Sequence, residues 1–270
     1  MFICWSSLKR ISNKEEKIIK LKVSVIIITK NEEHSIRECL ESISWADEII
    51  IVDSGSKDKT LKICKEFGAK IFIKPWYGFG FQKNEALKHA KFKWILSIDA
   101  DEIITNKLKN EIIAIVKSNS PAEAYSIPRR SFYCGKLIRF SGWQSDFVVR
   151  FFQKKFCKFS NDLVHEKVLV SGTTLKIKSY MIHNAFENFE EVIKKINIYS
   201  SLSASMLYKK NTTSSLKKAL FHAFWSFIKT YIIKLGFLDG RSGLMLSISN
   251  AEGTYYRYIK LMMLNSKLND

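Results

Sequence analysis

The chain has 270 residues, of which 46% are hydrophobic while only 3 are proline and 11 are glycine, so long disordered stretches are not expected. This length accommodates one large domain, or one domain with a substantial appendage. The 44 lysine and arginine residues outnumber the 26 acidic residues and give a formal net charge of +18. Such an excess indicates an anionic partner, namely nucleic acid, a phosphorylated substrate or an acidic lipid surface, although a codon bias towards lysine accounts equally well for part of it.

Cysteine content and hydropathy indicate a cytoplasmic location. The five cysteines are odd in number and show no C-x-x-C spacing, which argues against a disulfide framework or a zinc site and favours a reducing compartment. The first 20 residues contain no long apolar region with a small-residue cleavage site, so no signal peptide is predicted. The longest uncharged run, Ile196 to Tyr208, has 13 residues, whereas a helix needs about 20 to cross a bilayer.

The first part of the chain alternates between short apolar runs and amphipathic stretches. Strands are predicted at Val23–Thr29, Glu48–Val52, Lys70–Ile73 and Trp94–Ile98. Helices are predicted from Asn31 or Glu32 around Ile36, Leu40 and Ile43, over Asp58–Phe67, from a Pro75–Gly80 loop through Ala90, and over Asn106–Lys117. Four regular strand–helix units predict an α/β fold with a parallel, doubly wound sheet and right-handed crossovers.

The hydrophobic pattern of the sequence changes after Lys117. Between Ala124 and Met181 the apolar segments are short and alternate imperfectly, which predicts a mixed or antiparallel extension of the sheet. From Phe189 onward the pattern is helical. The predicted helices are Phe189–Lys209, Ser215–Leu235 and Arg241–Leu264.

The fourth predicted strand ends in the sequence Asp99-Ala100-Asp101-Glu102. If the chain stays extended, Asp99 and Asp101 share one face, roughly 7 Å apart. Carboxylates at the carboxyl end of a buried strand lie where open α/β sheets form their ligand crevice. Such oxygen ligands suit Mg²⁺ or Mn²⁺, which would in turn hold a diphosphate. The alternative is that D-A-D-E caps the helix that follows.

Three motifs in order carry a resemblance to a known family: V-S-V-I-I-I-T-K-N-E, I-I-I-V-D-S-G-S-K-D-K-T and W-I-L-S-I-D-A-D-E. Together they resemble the nucleotide-sugar half of the family-two inverting glycosyltransferases, which have a GT-A fold, over residues 22–186. The segment G-F-L-D-G-R-S-G at 236–243 is similar to an element of the lipopolysaccharide core β-1,4-glucosyltransferase subgroup.

This resemblance implies a division of the chain. We expect an N-terminal arm over residues 1–21 and a GT-A domain over 22–186, followed by a helical region over 187–270. Within the domain, residues 22–118 would form the nucleotide-sugar half and residues 119–186 the acceptor half.

The resemblance also implies five nucleotide-sugar contacts. Thr29 and Glu32 lie on the turn that wraps the nucleoside, and Asp53 resembles the acid that contacts the uracil or ribose. Lys83 stands where relatives often carry an arginine near the nucleotide and could pair with phosphate as a point charge. Asp99 is expected at the sugar or ribose. The alternatives are that Asp53 caps the next helix and that Lys83 is an exposed surface lysine.

A divalent cofactor, Mg²⁺ or Mn²⁺, is implied by the same resemblance. Asp101 is the expected first ligand, and Asp99 is a second candidate. His183, in Y-M-I-H-N, resembles a late histidine that GT-A enzymes often add to the metal, although a lone histidine is as often structural. Such an ion stabilises a departing nucleoside diphosphate.

An inverting reaction needs a general base on the acceptor hydroxyl. Glu166, in a V-H-E element of the resembling subgroup, is our first candidate. Asp146, in G-W-Q-S-D, is the second. Either could instead be a structural ion-pair partner, and Asp146 has Arg150 four residues away as a plausible partner.

The second C-terminal helix has a broad apolar stripe and several lysines. Its apolar residues are Leu216, Leu220, Phe221, Phe224, Trp225, Phe227, Ile228, Tyr231, Ile232 and Leu235. Its basic residues are Lys217, Lys218, Lys229 and Lys234. Such a helix suits an anionic membrane interface, which predicts peripheral attachment to the inner face of the bacterial inner membrane. The alternative is an amphipathic helix that packs on the core.

We therefore expect a metal-dependent transferase that moves a sugar, with glucose as first candidate, from a UDP-sugar to a lipopolysaccharide inner-core heptose. A family-two enzyme acting on polyprenyl phosphate or another surface glycan is the alternative. A basic nucleic-acid-binding protein is the alternative from a different class, but no binding module is evident in the first 180 residues, so nucleic acid is not expected as a partner. A dinucleotide-dependent oxidoreductase is excluded because residues 29–33 read T-K-N-E-E where G-x-G-x-x-G would stand.

Overall fold

The computed structural model describes residues 22–118, 120–144, 146–160 and 166–266, so the predicted N-terminal arm lies outside the described residues. The strands are β1 (Val23–Thr29), β2 (Glu48–Asp53), β3 (Lys70–Ile73), β4 (Trp94–Ser97), β5 (Glu102–Ile104), β6 (Ala124–Tyr133), β7 (Lys136–Leu137), β8 (Phe147–Gln153), β9 (Cys157–Phe159), β10 (Val168–Val170), β11 (Thr174–Lys176) and β12 (Met181–Phe186). The helices are α1 (Ile36–Ser42), α2 (Thr60–Glu66), α3 (Phe79–His89), α4 (Asn106–Lys117), α5 (Phe189–Lys209), α6 (Leu216–Ile228) and α7 (Gly240–Ser266).

The main sheet has a parallel half and a mixed half. Its strand order is β3-β2-β1-β4-β8-β6-β12-β5, and the first four strands are parallel to one another. Strand β8 runs antiparallel to both β4 and β6, while β12 is parallel to β6 and antiparallel to β5. Strands β9 and β10 form a separate antiparallel pair. The predicted α/β fold is confirmed. Strands β6, β8 and β12 of the mixed half follow Lys117, where the hydrophobic pattern of the sequence changes.

Side chains of the parallel strands alternate between two buried apolar layers, as the two-residue repeat of a strand requires. Val25 and Ile27 of β1 face the layer that includes helices α1, α2 and α4. Ile26 and Ile50 face the opposite layer, which includes Leu87 of α3. Helices therefore cover both faces of the sheet, which explains why these strands are continuous runs of β-branched residues.

Local differences from the sequence expectation concern where elements begin and end. Strand β4 ends at Ser97, and Glu102 opens the short strand β5 instead of a helix. The cap of α4 is Thr105, whose hydroxyl accepts a hydrogen bond from the Leu108 N–H, so the alternative that D-A-D-E caps this helix is wrong. Helix α1 begins at Ile36, later than expected, because a turn precedes it. Helix α3 begins one residue before Gly80.

The C-terminal helices pack on one another, and the turn before α7 is hydrogen-bonded to the residues that follow β7. Asp239 accepts hydrogen bonds from the Arg139 and Phe140 N–H groups and from the Ser141 hydroxyl. A Cβ atom at Gly243 would lie 1.9 Å from the Gly236 carbonyl oxygen, so only glycine fits. The G-F-L-D-G-R-S-G segment is therefore a tightly packed turn between α6 and α7. Within the described part of the chain, no helix is both long and apolar enough to cross a bilayer.

Candidate active site

The carboxyl ends of β1, β2 and β4 form one edge of the parallel half, and β1 and β4 are neighbours there although they are not consecutive in the chain. Asp53, at the end of β2, is fully buried. It accepts hydrogen bonds from the Thr29 hydroxyl at 2.9 Å and from the Gly55 and Ser56 N–H groups at 2.8 Å. Helix α2 begins only at Thr60, so the alternative that Asp53 caps this helix is wrong. Asp53 instead holds the turn that follows β2.

Asp99 lies between two buried cations. The Lys83 ammonium is 2.8 Å from its Oδ1, and the Arg150 guanidinium donates to its Oδ2. Burial works to raise the pKa of Asp99, but the charges of Arg150 and Lys83 hold it well below its usual range. Lys83 is 2% exposed, so the alternative of a surface lysine is wrong. Its burial follows from the pairing, because an unpaired buried ammonium would be costly.

The two candidate bases lie at opposite ends of one chain of ion pairs. Glu166 Oε1 is 2.6 Å from the same Lys83 ammonium that contacts Asp99. Asp146 Oδ2 is 2.6 Å from an Arg129 guanidinium nitrogen. The expected pair between Asp146 and Arg150 does not form, because Arg150 lies against Asp99 in the neighbouring strand end.

Glu102 connects these pairs and is a residue whose role the sequence did not reveal. Its side chain is fully buried. It accepts hydrogen bonds from Arg150 at 2.7 Å, from Arg129 at 3.3 Å and from the Asp99 N–H at 2.9 Å. Signs alternate along the whole chain, from Glu166 through Glu102 to Asp146, so each buried charge has a partner of opposite sign. The only local signal for Glu102 was its place in D-A-D-E.

Asp101 points away from Lys83 and Arg150, because the chain turns after β4. Its Oδ2 lies 3.5 Å from His183 Nε2 and 3.9 Å from the Lys195 ammonium. Burial works to raise the pKa of Asp101, but the hydrogen bond from His183 and its charge lower it. The structure therefore brings the expected ligands Asp101 and His183 together, while Asp99 is held by other groups.

The chemistry of this pair fits a divalent cation. Cis ligands of an octahedral Mg²⁺ or Mn²⁺ stand roughly 3 Å apart, close to the 3.5 Å between the Asp101 and His183 atoms. Such ions commonly take one or two protein ligands and complete their shell with water and substrate phosphate. Across the described ranges no cluster of three or more acidic, histidine or cysteine side chains is arranged around one point as a metal site.

Glu32 lies beside this pair on the turn after β1. Burial, followed by the nearby charge of Asp101, raises the pKa of Glu32 to about 7. Its carboxylate accepts a hydrogen bond from the Ser35 hydroxyl at 3.0 Å, and its N–H donates to the Thr60 hydroxyl at 2.8 Å. Glu32 is therefore a poorly compensated acid at the carboxyl end of the sheet, which is typical of functional sites.

Helix α5 contributes two residues that the sequence analysis missed. Lys195 approaches Asp101, and the pKa of the Tyr199 hydroxyl is raised first by burial and then by Asp101, Asp99, Glu166 and Glu32. Neither residue lies in a recognisable motif, because α5 follows the segment that carries the resemblance. Only the packing of this helix against the strand ends reveals them.

Buried acids at the carboxyl ends of neighbouring parallel strands, with lysine and arginine beside them, lie where open α/β proteins bind their ligands. The sequence profile of Glycosyl transferase family 2 matches residues 24–169, and the chain belongs to that family. It is a glycosyltransferase, so the expected family, fold and enzyme class are confirmed.

The chain is also similar to individual proteins. The chain is 32% identical over 258 residues to an uncharacterized glycosyltransferase of Rickettsia typhi, covering 91% of this chain and 88% of the relative. It is 26% identical to the lipopolysaccharide core biosynthesis glycosyltransferase LpsC of Rhizobium meliloti, covering 90% of this chain and 91% of LpsC. Among solved structures, S. aureus TarS 1-349 in complex with UDP-GlcNAc matches with a TM-score of 0.45 and 14% identity over 92% of each chain.

Proposed function

We propose that this glycosyltransferase transfers a sugar, with glucose as the first candidate, from a UDP-sugar to a lipopolysaccharide inner-core heptose, with inversion at the anomeric carbon. The observation that carries the proposal is the contact of one lysine with acids of both halves: Lys83 touches Asp99 at 2.8 Å and Glu166 at 2.6 Å. These contacts support Glu166 as the proposed base, because they put it beside the strand end proposed to hold the donor. The similarity to LpsC supports the choice of acceptor.

In the proposed reaction, Glu166 takes the proton of the acceptor hydroxyl. The hydroxyl oxygen forms a bond to the anomeric carbon while the bond from that carbon to the diphosphate oxygen breaks, and its electron pair leaves with UDP. Lys83 orients Glu166 through one carboxylate oxygen, which leaves the other for the acceptor. Asp146 remains the second candidate, although Arg129 makes two contacts to its Oδ2.

Donor binding is proposed at the strand ends. Glu32 would contact the nucleoside, while Thr29 and Asp53, which are buried and hydrogen-bonded to each other, would shape the strand ends against which it lies. Asp99 with Lys83 would face the sugar and phosphate. Asp101 and His183 would hold Mg²⁺ or Mn²⁺. When bound there, such an ion neutralises the charge that develops on the departing diphosphate.

Attachment to an anionic membrane is part of the proposal, and the outer face of α6 supports it. Phe221 and Phe224 are each 65% exposed and Trp225 is 49% exposed, whereas Ala219 is fully buried. The helix therefore packs on α7, where His222 stacks on Tyr258, and presents Phe221, Phe224 and Trp225 to solvent, so these three side chains are not part of the core. Between residues 209 and 248, seven residues are lysine or arginine and one, Asp239, is acidic. Asp239 is hydrogen-bonded within the turn between α6 and α7. This one-signed surface suits an anionic bilayer at the inner face of the inner membrane.

Flotation with vesicles tests the membrane part. Binding to phosphatidylglycerol vesicles at low salt is expected, with weaker binding at high salt and to phosphatidylcholine. Phe224→Ser should reduce binding severalfold. Phe189→Ser is the matched control, since Phe189 is 42% exposed but lies on α5. Absence of binding at low salt would contradict attachment, and a concentration-dependent dimer would assign the face to a second copy instead.

The central experiment measures UDP release with a panel of nucleotide sugars, with and without Mn²⁺ and purified core lipid. We expect release with a UDP-sugar that depends on both additions. Polyprenyl phosphate and other glycans are included as acceptors, because stimulation by one of these would replace the heptose acceptor within the same enzyme family. Lack of release from every UDP-sugar would contradict the donor assignment.

A further inference from the structure

One face of helix α5 lies over the proposed donor site. Glu191, Lys195 and Tyr199 are spaced four residues apart and therefore share this face. Glu191 and Lys195 line a small pocket together with Glu32 and Asp101. Helix α5 begins after residue 169, where the match to the family ends, so this wall belongs to the C-terminal region of this chain.

The cations around this site differ in how firmly they are held. Lys83 makes ion pairs at 2.6 and 2.8 Å, and Arg150 contacts Glu102 at 2.7 Å. Lys195 is 3.9 Å from Asp101 and its side chain is 34% exposed. Among the described residues its ammonium donates one hydrogen bond, at 2.8 Å, to the Ala185 carbonyl, and an ammonium has three hydrogens. Lys195 therefore keeps donors for a ligand without breaking a short ion pair.

Tyr199 lies one helical turn beyond Lys195, on the side of Asp99 and Glu166. Burial and the neighbouring carboxylates raise the pKa of its hydroxyl, so the hydroxyl remains protonated and can donate a hydrogen bond. Its side chain nevertheless keeps contact with solvent, because the residue is 41% exposed.

We propose that Lys195 and Tyr199 of α5 bind the diphosphate of the nucleotide-sugar donor, Lys195 through an ion pair and Tyr199 through its hydroxyl. The inference rests on the proposed UDP-sugar donor. Its physical reason is charge: Asp101, Glu32 and Glu191 line this side of the site, and a further cation there, beside the proposed metal ion, would offset their repulsion of an incoming diphosphate. Lys195 is that cation, and its position on α5 makes the C-terminal region part of the catalytic site.

Calorimetric titration with UDP, in the presence of Mn²⁺, tests the inference without requiring turnover. Lys195→Ala should weaken UDP binding about tenfold or more, as expected for loss of a charge-assisted hydrogen bond, and Tyr199→Phe about threefold to tenfold. Lys194→Ala and Tyr208→Phe are the matched controls, because they make the same changes on α5 away from the carboxylates. Both controls should bind UDP like the wild type.

A second variant separates binding from a structural role. Lys195→Gln can still donate to the Ala185 carbonyl but carries no charge, so it should fold normally, as judged by thermal unfolding, and still bind UDP weakly. Wild-type affinity in Lys195→Gln, or in both Lys195→Ala and Tyr199→Phe, would overturn the inference while leaving the proposed function intact. A wild-type protein that does not bind UDP at all would overturn both.

Discussion

A glutamate lies at each end of the parallel strands, Glu48 buried and Glu32 half-buried, and their pKa values shift in opposite directions. At the amino end, Glu48 accepts hydrogen bonds from the Ser24 hydroxyl at 2.7 Å, the Lys70 ammonium at 2.6 Å and the Lys91 N–H at 2.8 Å. Burial works to raise its pKa, but these partners lower it. These hydrogen bonds compensate the buried charge of the carboxylate within the fold, so Glu48 stabilises the sheet.

At the carboxyl end, Glu32 has one hydroxyl partner and a like charge, Asp101, beside it, and its pKa rises to about 7. Asp101 likewise has only longer contacts, to His183 and Lys195. Burial alone therefore does not distinguish these acids. Acids whose partners are incomplete are candidates for ligand binding, because a ligand can supply the missing partners.

The largest effect should come from Glu166, which Lys83 holds beside the carboxyl end. Glu166→Gln should lower transfer about 10²- to 10⁴-fold, as expected for loss of a general base, while UDP binding is retained. Steady-state rates and calorimetry measure the two properties. Asp146→Asn is the companion variant: if it loses transfer while Glu166→Gln does not, the base role passes to Asp146.

Removal of Asp101 should have the next largest effect. Asp101→Ala should lower Mn²⁺-dependent turnover about 10²- to 10³-fold, because the developing charge on the leaving diphosphate loses its compensation. Glu48→Gln, at the opposite end of the sheet, is the control and should retain wild-type kcat at a temperature where it is folded. Equal losses in both variants would mean that the two ends do not differ in function.

Glu48→Gln should instead reduce stability. Loss of a charged hydrogen-bond acceptor in a buried site costs about 1–3 kcal/mol of unfolding free energy at pH 7, measurable by urea titration. Because the pKa of Glu48 is lowered by folding, its contribution is present above its ordinary value of 4.5 and is lost as the pH falls. The difference from wild type should therefore shrink below that pH. Glu38→Gln, on the exposed side of α1, should show no such difference.

Glu32→Gln should produce the smallest effect, with the opposite sign. Folding raises the pKa of Glu32 from 4.5 to about 7, so the folded state binds a proton that the unfolded state releases, and stability declines as the pH rises through this window. The variant should be more stable than wild type at pH 8, by on the order of 1 kcal/mol, and similar to it at pH 4. Glu41→Gln, an exposed change on the following helix α1, is the control. A variant less stable than wild type at pH 8 would contradict the comparison.

The sequence by itself determined the parallel half and the strand end at which the candidate site lies. Strands β1 and β3 match their expected bounds, and β2 extends to Asp53, because continuous β-branched runs between turn residues have few alternatives. Helices α4 and α5 also match, since capping residues and apolar spacing are local signals. The same local pattern placed the acids of D-A-D-E at the carboxyl end of a buried strand.

Only the tertiary structure decided which charges meet. The expected alternation of Asp99 and Asp101 required an extended chain, but β4 ends at Ser97, so the two carboxylates diverge towards different partners. Arg150 contacts Asp99 because β8 is the neighbour of β4, a pairing between residues about 50 positions apart that no local pattern encodes. Lys195 likewise lies beside Asp101 only because folding brings helix α5 to the strand ends. Ion pairs form between elements that come together only on folding, whereas apolar periodicity is a local property of the sequence.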